Sequence, residues 1–252
     1  SEGLLLTCAD SPRALALRGH AHSRVETYGF SGGADWQGAH GGVDELGNVV
    51  LTIHRHGAAW GRFRVPLAGR HNAQNAIAAI AAAAHHGADP RALADALAAF
   101  KGVRRRMEVF LEPRGITFVD DFAHHPTAIR ETIAAARERW PKRRLRVLFE
   151  PRSNTTVTNT FQDDLFEAFR PADEIWFGPI YRAENIPEEK RLDIAALAQR
   201  LTTAGTTAHA ADGADQIAAA IYNSGRPGDV VLILSNGAFG GIYTQFHALY
   251  QT

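Results

Sequence analysis

The sequence predicts an α/β protein. Its second part reads as a Rossmann-like, mostly parallel sheet with helices on both faces, and the tail of another domain precedes it. Three observations carry this reading. From residue 102 onward, short apolar runs alternate with stretches of helical length, as in a parallel sheet built from crossover units. "RVLFE" (146–150) and "VVLILS" (230–235) are continuous apolar runs, which strands covered on both sides require. Upstream of residue 101, short β segments lead into an alanine-rich pair of helices.

The elements follow in order. "LLL" within 3–7 is a buried-strand pattern. "YGFSGGADW" (28–36) and "HGGVDELGNVV" (40–50) supply turn residues between short runs. "VVLTIHRHG" (49–57) alternates and pairs with "AAWGRFRVPL" (58–67) as a hairpin joined at Gly57. In 76–99, 13 of 24 residues are alanine, the strongest helix former. Gly87 and Pro90 split this stretch into helices over roughly 72–86 and 90–99. With no evident sheet core, 1–101 reads as an incomplete domain, and 102–252 as a second one. The second part is expected to hold strands at 107–112, 116–120, 145–149, 173–178, 206–210 and 229–234. The first two of these form a hairpin split by "PRG" (113–115). Helices are expected at 126–139, 159–169, 193–203, 213–223 and 239–250.

Composition excludes several classes. The chain has 252 residues, and Lys+Arg and Asp+Glu each number 27. A broad basic face for nucleic acid or anionic lipid is not expected. No apolar run reaches the roughly 18–20 residues of a membrane span, and no secretory leader opens the chain. A cytoplasmic protein is expected. The single cysteine, Cys8, rules out an internal disulfide framework and a multi-cysteine zinc site. The three lysines, Lys101, Lys142 and Lys190, lie outside any phosphate-cradling G-x-x-x-x-G-K-[ST] context.

Five stretches carry candidate chemistry. In "GRHNAQN" (69–75), Asn72 is a natural helix N-cap, and Asn75 shares its helix face. Their amides suit an adenine edge, although capping alone would account for Asn72. "GVRRRME" (102–108) packs three arginines, either a phosphate-binding fork or a solvated basic linker. "FVDDFAHHPTAI" (118–129) places Asp120, Asp121, His124 and His125 at the carboxyl end of a strand, where open α/β sheets put ligands. Asp121 suits a ribose hydroxyl there, and the histidines suit a carboxylate. A metal site is a poor reading, because adjacent histidines rarely converge on one ion. "LFEPRSNTTVTNTF" (148–161) gathers Arg152, Ser153, Asn154 and Thr155 after another strand, a set fit for a carboxylate-bearing small ligand, or else a capped turn. "ILSNGAFGGIY" (233–243) brings Ser235 and Asn236 before a glycine-rich turn that exposes backbone N–H groups to an anion.

Together these stretches resemble the Mur ligase family. "GRHNAQNAIAA" resembles the end of that family's central ATP-binding domain. "RRRMEV" with "FVDDFAHHPTAI" resembles the start of its C-terminal domain. "EPRSNT" and "SNGAFGGI" resemble the members that join L-alanyl-γ-D-glutamyl-meso-diaminopimelate, the murein tripeptide, to UDP-N-acetylmuramate in peptidoglycan recycling. The resemblance implies 1–101 as the C-terminal part of the central domain and 102–252 as the C-terminal domain. The P-loop and most magnesium ligands would lie upstream, so the fragment alone is expected to be inactive. By resemblance, His71, Asn72, Asn75, Arg106 and Asp121 belong to the ATP side, and His124, His125, Arg152, Ser153, Asn154, Thr155, Ser235 and Asn236 to the acceptor side. None is implied as a catalytic residue or a metal ligand. ATP and Mg2+ are the implied cofactors, and residues 101–106 are the implied hinge. Three departures stand out. Met107 replaces an aromatic, Phe122 stands where the alanine-adding members have tyrosine, and "RSNTT" (152–156) replaces their His-Arg-Tyr-Thr-Arg. At Phe122 a hydroxyl contact is lost, and the last departure argues against free L-alanine as acceptor. The alternatives are a noncatalytic peptide- or nucleotide-binding module and a Mur ligase with another acceptor.

Overall fold

The computed structural model describes residues 3–251. The chain divides into two compact units, Ser1–Gly102 and Val103–Thr252.

The first unit contains β1 (Leu4–Cys8), α1 (Pro12–Leu15), β2 (Arg24–Gly29), β3 (Trp36–Val43), β4 (Val49–Arg55), β5 (Ala58–Val65), α2 (Arg70–His85) and α3 (Pro90–Ala98). The strands form one sheet in the order β1-β2-β3-β4-β5. This corrects the expectation of a region without a sheet core. Trp36, Leu51, Ile53, Phe63, Ile77 and Ile80 make a buried cluster between the sheet and α2. Sequence reading named neither β2 nor β3 as a strand, and in β3 glycines interrupt the run. Its Gly38 is there for close packing: a Cβ at that position would collide with the Ile77 side chain of α2. The β4–β5 hairpin turns at His56 and Gly57, both with positive φ, the backbone a two-residue hairpin turn requires. At the end of α2, Gly87 (φ 89°) donates to Ala84 O at 3.0 Å while Ala88 donates to Ala83 O at 3.1 Å. Asp89 then caps α3 through the N–H groups of Arg91 and Ala92, with Pro90 in its first turn.

The second unit runs β6 (Glu108–Leu111), β7 (Thr117–Asp121), α4 (Pro126–Arg139), β8 (Leu145–Phe149), α5 (Gln162–Phe169), β9 (Glu174–Phe177), α6 (Ile194–Thr203), β10 (Thr207–Ala210), α7 (Ala214–Ser224), β11 (Val230–Leu234) and α8 (Ile242–Tyr250). Each strand and helix expected beyond residue 102 is present, with ends shifted by a few residues. The sheet order is β10-β9-β8-β11-β7-β6. All neighbours are parallel except the β6–β7 hairpin. Phe118, Leu148, Val231 and Ile233 pack with Ile217, Ile221, Ile242 and Phe246 of α7 and α8. On the other face Phe149 and Phe177 meet Phe169 of α5. The period of two along β8 explains this: Leu148 and Phe149 point opposite ways. Among the described residues, no helix is long and apolar enough to cross a membrane.

Candidate functional site

The last strand of the chain lies inside the sheet, and that placement builds the site. β11 sits between β7 and β8, with Leu234 in register beside both Asp121 and Phe149. The loops that leave these three strands therefore meet at one edge. This is the switch point of an open parallel sheet, where ligands bind.

Glu150 is the floor of the edge. It is buried, and its two oxygens take different partners. Oε2 accepts the Ser235 hydroxyl at 2.5 Å, and Oε1 faces Arg152 Nη1 at 3.4 Å. Ser235 Oγ also accepts the Gly237 N–H at 2.9 Å. The Arg152 Cζ lies over the Tyr181 ring, 3.7 Å from its centroid, a cation–π contact that holds arginine in place without using its N–H donors. On another side it runs along Gly237, where a Cβ would stand 2.5 Å from Arg152 Cδ and 2.6 Å from Cζ. Gly237 is therefore the clearance for Arg152. Glu150, Tyr181 and Gly237 orient Arg152, and most of its fork remains for an anion.

Ser153 donates to the His124 carbonyl at 3.3 Å and pairs with Thr156 Oγ1 at 2.9 Å, so the loops after β7 and β8 are joined. His124 Nδ1 lies 3.0 Å from Phe122 O. A carbonyl only accepts, which assigns a proton to Nδ1 and leaves Nε2 clear of this contact. Asn154 is exposed and Thr155 half-buried. Asn236 Oδ1 is buried and accepts no hydrogen bond among the described residues.

The structure places several expected residues elsewhere. His125 caps α4: its Nδ1 accepts the Thr127 N–H at 3.3 Å, and its ring meets Phe161. Ser235 is fully buried and acts through Glu150 and the loop. Asp121 is turned inward, accepting the N–H groups of Met107 at 2.9 Å and Ala123 at 2.8 Å. Burial pushes its carboxyl up against those two bonds and the Arg106 charge, and the net direction is up. Its oxygens are thus committed to this chain's own backbone. Arg106 is exposed, near the Phe122 ring, and available to a phosphate. In the first unit, Asn72 does not cap α2. The helix begins one turn earlier, at Gly69 (φ 94°) and Arg70, because the glycine makes the sharp turn itself. Asn72 is buried, and its amide donates to Ala68 O at 2.7 Å. Asn75 is exposed, so burial separates the pair, and His71 is half-buried between them and the turn.

Sequence reasoning missed Arg105. Its Nε meets Asp120 at 3.1 Å, and its Nη2 donates to Ser235 O at 2.5 Å and Gly237 O at 3.1 Å. Tyr243 donates to the other oxygen of Asp120 at 2.7 Å. Burial, with Asp120 alongside, drives the Tyr243 phenol well above the ordinary tyrosine range. Arg105 fastens the loop that carries Asn236 to the end of β7. Glu150, Tyr181 and Tyr243 were also missed as site residues. The only sequence signal for Arg105 was its place in an arginine run. Among the described residues no three His, Cys, Asp or Glu side chains converge on a metal position.

Two family descriptions match this chain: "Mur ligase middle domain" over residues 1–83 and "Mur ligase, glutamate ligase domain" over 105–237. The chain belongs to the Mur ligase family. Among Mur ligases, the UDP-N-acetylmuramate--L-alanine ligase of Roseiflexus sp. (strain RS-1) is 36% identical, over 92% of this chain and 52% of its own length. The UDP-N-acetylmuramate--L-alanyl-gamma-D-glutamyl-meso-2,6-diaminoheptandioate ligase of Escherichia coli (strain K12) is 39% identical, over 73% of this chain and 38% of its own. The crystal structure of a murein peptide ligase from Psychrobacter arcticus superposes with a TM-score of 0.66 at 28% identity, covering 99% of this chain and 51% of that one. The chain thus spans about half the length of the curated relatives it matches.

Proposed function

We propose that this chain is the C-terminal part of a cytoplasmic, ATP-dependent Mur ligase that joins the murein tripeptide to UDP-N-acetylmuramate. The observation that carries this reading is Arg152, held by Glu150, Tyr181 and Gly237 at the switch point. An oriented arginine of this kind suits an acceptor with a free carboxylate, and the tripeptide carries such groups on its γ-linked glutamyl residue and on diaminopimelate. Relatives named for the tripeptide support the reading, as do the departures at Phe122 and "RSNTT" from the alanine-adding pattern.

In the proposed reaction the γ-phosphoryl group of ATP passes to a lactyl carboxylate oxygen, giving an acyl phosphate and ADP. The tripeptide amine nitrogen then bonds to the acyl carbon and loses a proton. The carbon–oxygen bond to phosphate breaks, and inorganic phosphate leaves. The 103–252 unit contributes by position: Arg152 holds the acceptor so that its amine approaches in line, and His124 Nε2, with the ring neutral, offers an acceptor for that amine. Arg106 serves the nucleotide phosphates. Asp121 braces the backbone at Met107 and Ala123, and reaches a ribose hydroxyl only if those bonds open. His71, Asn72 and Asn75 are assigned to the adenine side. Mg2+ would neutralise phosphate charge, held mainly by ligands upstream of these residues. The partition at residues 101 and 102 and the hinge at 101–106 belong to the same proposal.

Free L-alanine as acceptor is the second reading, favoured by relatives named for it that cover more of the chain. ADP release by the ligase containing this chain, with UDP-N-acetylmuramate and either acceptor, tests both. Tripeptide-dependent release is expected. Release with L-alanine alone would keep the family and overturn the tripeptide. Release with neither would favour a noncatalytic binding module.

A further inference from the structure

One feature of the site is absorbed by none of these roles. The loop between β9 and α6 is long, yet it is fastened to the loop after β8. Tyr181 N–H donates to Pro151 O at 2.9 Å, Leu192 N–H to Val157 O at 3.1 Å, and Asn159 Nδ2 to Glu189 O at 2.9 Å. This fastening sets Tyr181 beneath Arg152. It also sets a second guanidinium on the same ring, since Arg182 Cζ lies 5.1 Å from the Tyr181 centroid. Arg182 is exposed, and its side chain makes no hydrogen bond or ion pair among the described residues. Its backbone is left-handed, with φ 53°, a strained state for a non-glycine residue and one that surrounding structure must hold in place. The ring thus gathers two cations, and among the described residues Glu150 pairs with Arg152 and no carboxylate pairs with Arg182. One ligand carboxylate would satisfy Arg152. A second positive group beside it has work only if the ligand brings a second negative one.

We propose that Tyr181 and Arg182 form a second carboxylate subsite beside Arg152. It selects an acceptor whose far end carries an additional carboxylate, over a monocarboxylic amino acid. This rests on the reading that the 103–252 unit binds the acceptor. Arg182 is a specificity-determining residue here, and Tyr181 positions both guanidiniums.

The test is the acceptor KM of the ligase containing this chain, measured for wild type, Arg182→Gln and Arg182→Lys. Two acceptors are compared: the murein tripeptide, and the same tripeptide amidated on its second diaminopimelate carboxylate. Arg182→Gln is expected to raise the tripeptide KM about tenfold, the scale of one partly exposed charge-assisted bond, with kcat little changed. Arg182→Lys should recover part of the loss. Amidation should cost wild type a similar factor and cost Arg182→Gln nothing more, because each change removes the same contact. An amidation penalty equal in wild type and Arg182→Gln would overturn the subsite and leave the acceptor reading standing. Turnover of L-alanine without turnover of tripeptide, or of neither, would overturn both.

Discussion

Arg146 is the residue whose loss should cost the second unit most. It lies on β8 with no exposed surface. Its Nε and Nη2 hold both oxygens of Glu174, at 2.8 and 3.0 Å. Nη2 also donates to Ser224 Oγ at 2.8 Å, and Nη1 reaches Asp229 at 3.5 Å. Glu174 and Asp229 are themselves buried. Arg146→Leu would supply the volume and strip two buried carboxylates of their central partner. Removing one partner of a buried pair costs about 3–5 kcal/mol. Arg144 still meets both carboxylates, at 2.5 and 3.7 Å, which places the expected loss at the low end, about 3 kcal/mol. Urea unfolding followed by tryptophan fluorescence reads it, and Trp176, whose indole N–H donates to Glu174, reports from the cluster. Adding Glu174→Gln to Arg146→Leu removes one orphaned charge and should restore about 1 kcal/mol or more. A loss below about 1 kcal/mol for Arg146→Leu, with no recovery in the double variant, would refute the reasoning that these charges depend on Arg146.

Other outcomes follow from the same contacts. Burial pushes the Glu174 carboxyl up, but hydrogen bonds from Arg146 and Trp176 and the charges of Arg146 and Arg144 outweigh it, so the group sits below its ordinary range. Its stabilisation is therefore present above the unfolded value of about 4.3 and lost as pH falls through the lower folded value. Unfolding free energy measured from pH 6 to 3 should fall less steeply in Glu174→Gln than in wild type. Gly237→Ala displaces the flexible end of Arg152, so it should change stability by no more than about 0.5 kcal/mol while raising the acceptor KM. Gly178→Ala sets a Cβ 2.5 Å from the ring of buried Phe239 and should cost about 1–3 kcal/mol by thermal melting. Arg152→Ala should raise the tripeptide KM about tenfold or more, as a lost charge-assisted bond implies; a change within about twofold would remove Arg152 from the site.

The second unit was legible because its signals are local. Val230–Leu234 is apolar throughout, Leu145–Phe149 is apolar but for Arg146, and Pro126 marks the first turn of α4. Arg152, Ser153 and Ser235 were legible as polar groups just past such strands. β3 was not, because the reason for Gly38 lies across the layer at Ile77. Arg105 was not, because the carbonyl it holds is 130 residues away. Arg106 beside it shows nothing in sequence to tell the free cation from the internal strut. His125 and Asp121 were legible as polar groups at a strand end. Their engagement by the Thr127 N–H and by the Met107 and Ala123 N–H groups depends on side-chain directions that spacing does not give.

The position of β11 also governs how the protein is made. Synthesis delivers β7 and β8 long before the strand that separates them, so both carry an unpaired edge toward the vacant slot until residue 234 has emerged. Open edges of this kind invite pairing with other chains. The strand that seals them also delivers Ser235 and Gly237, the partners of Glu150 and Arg152. A nascent chain stopped before that point would have neither a closed sheet nor the partners that orient Arg152. Growth of the chain therefore couples resistance to aggregation and competence to bind in one late event.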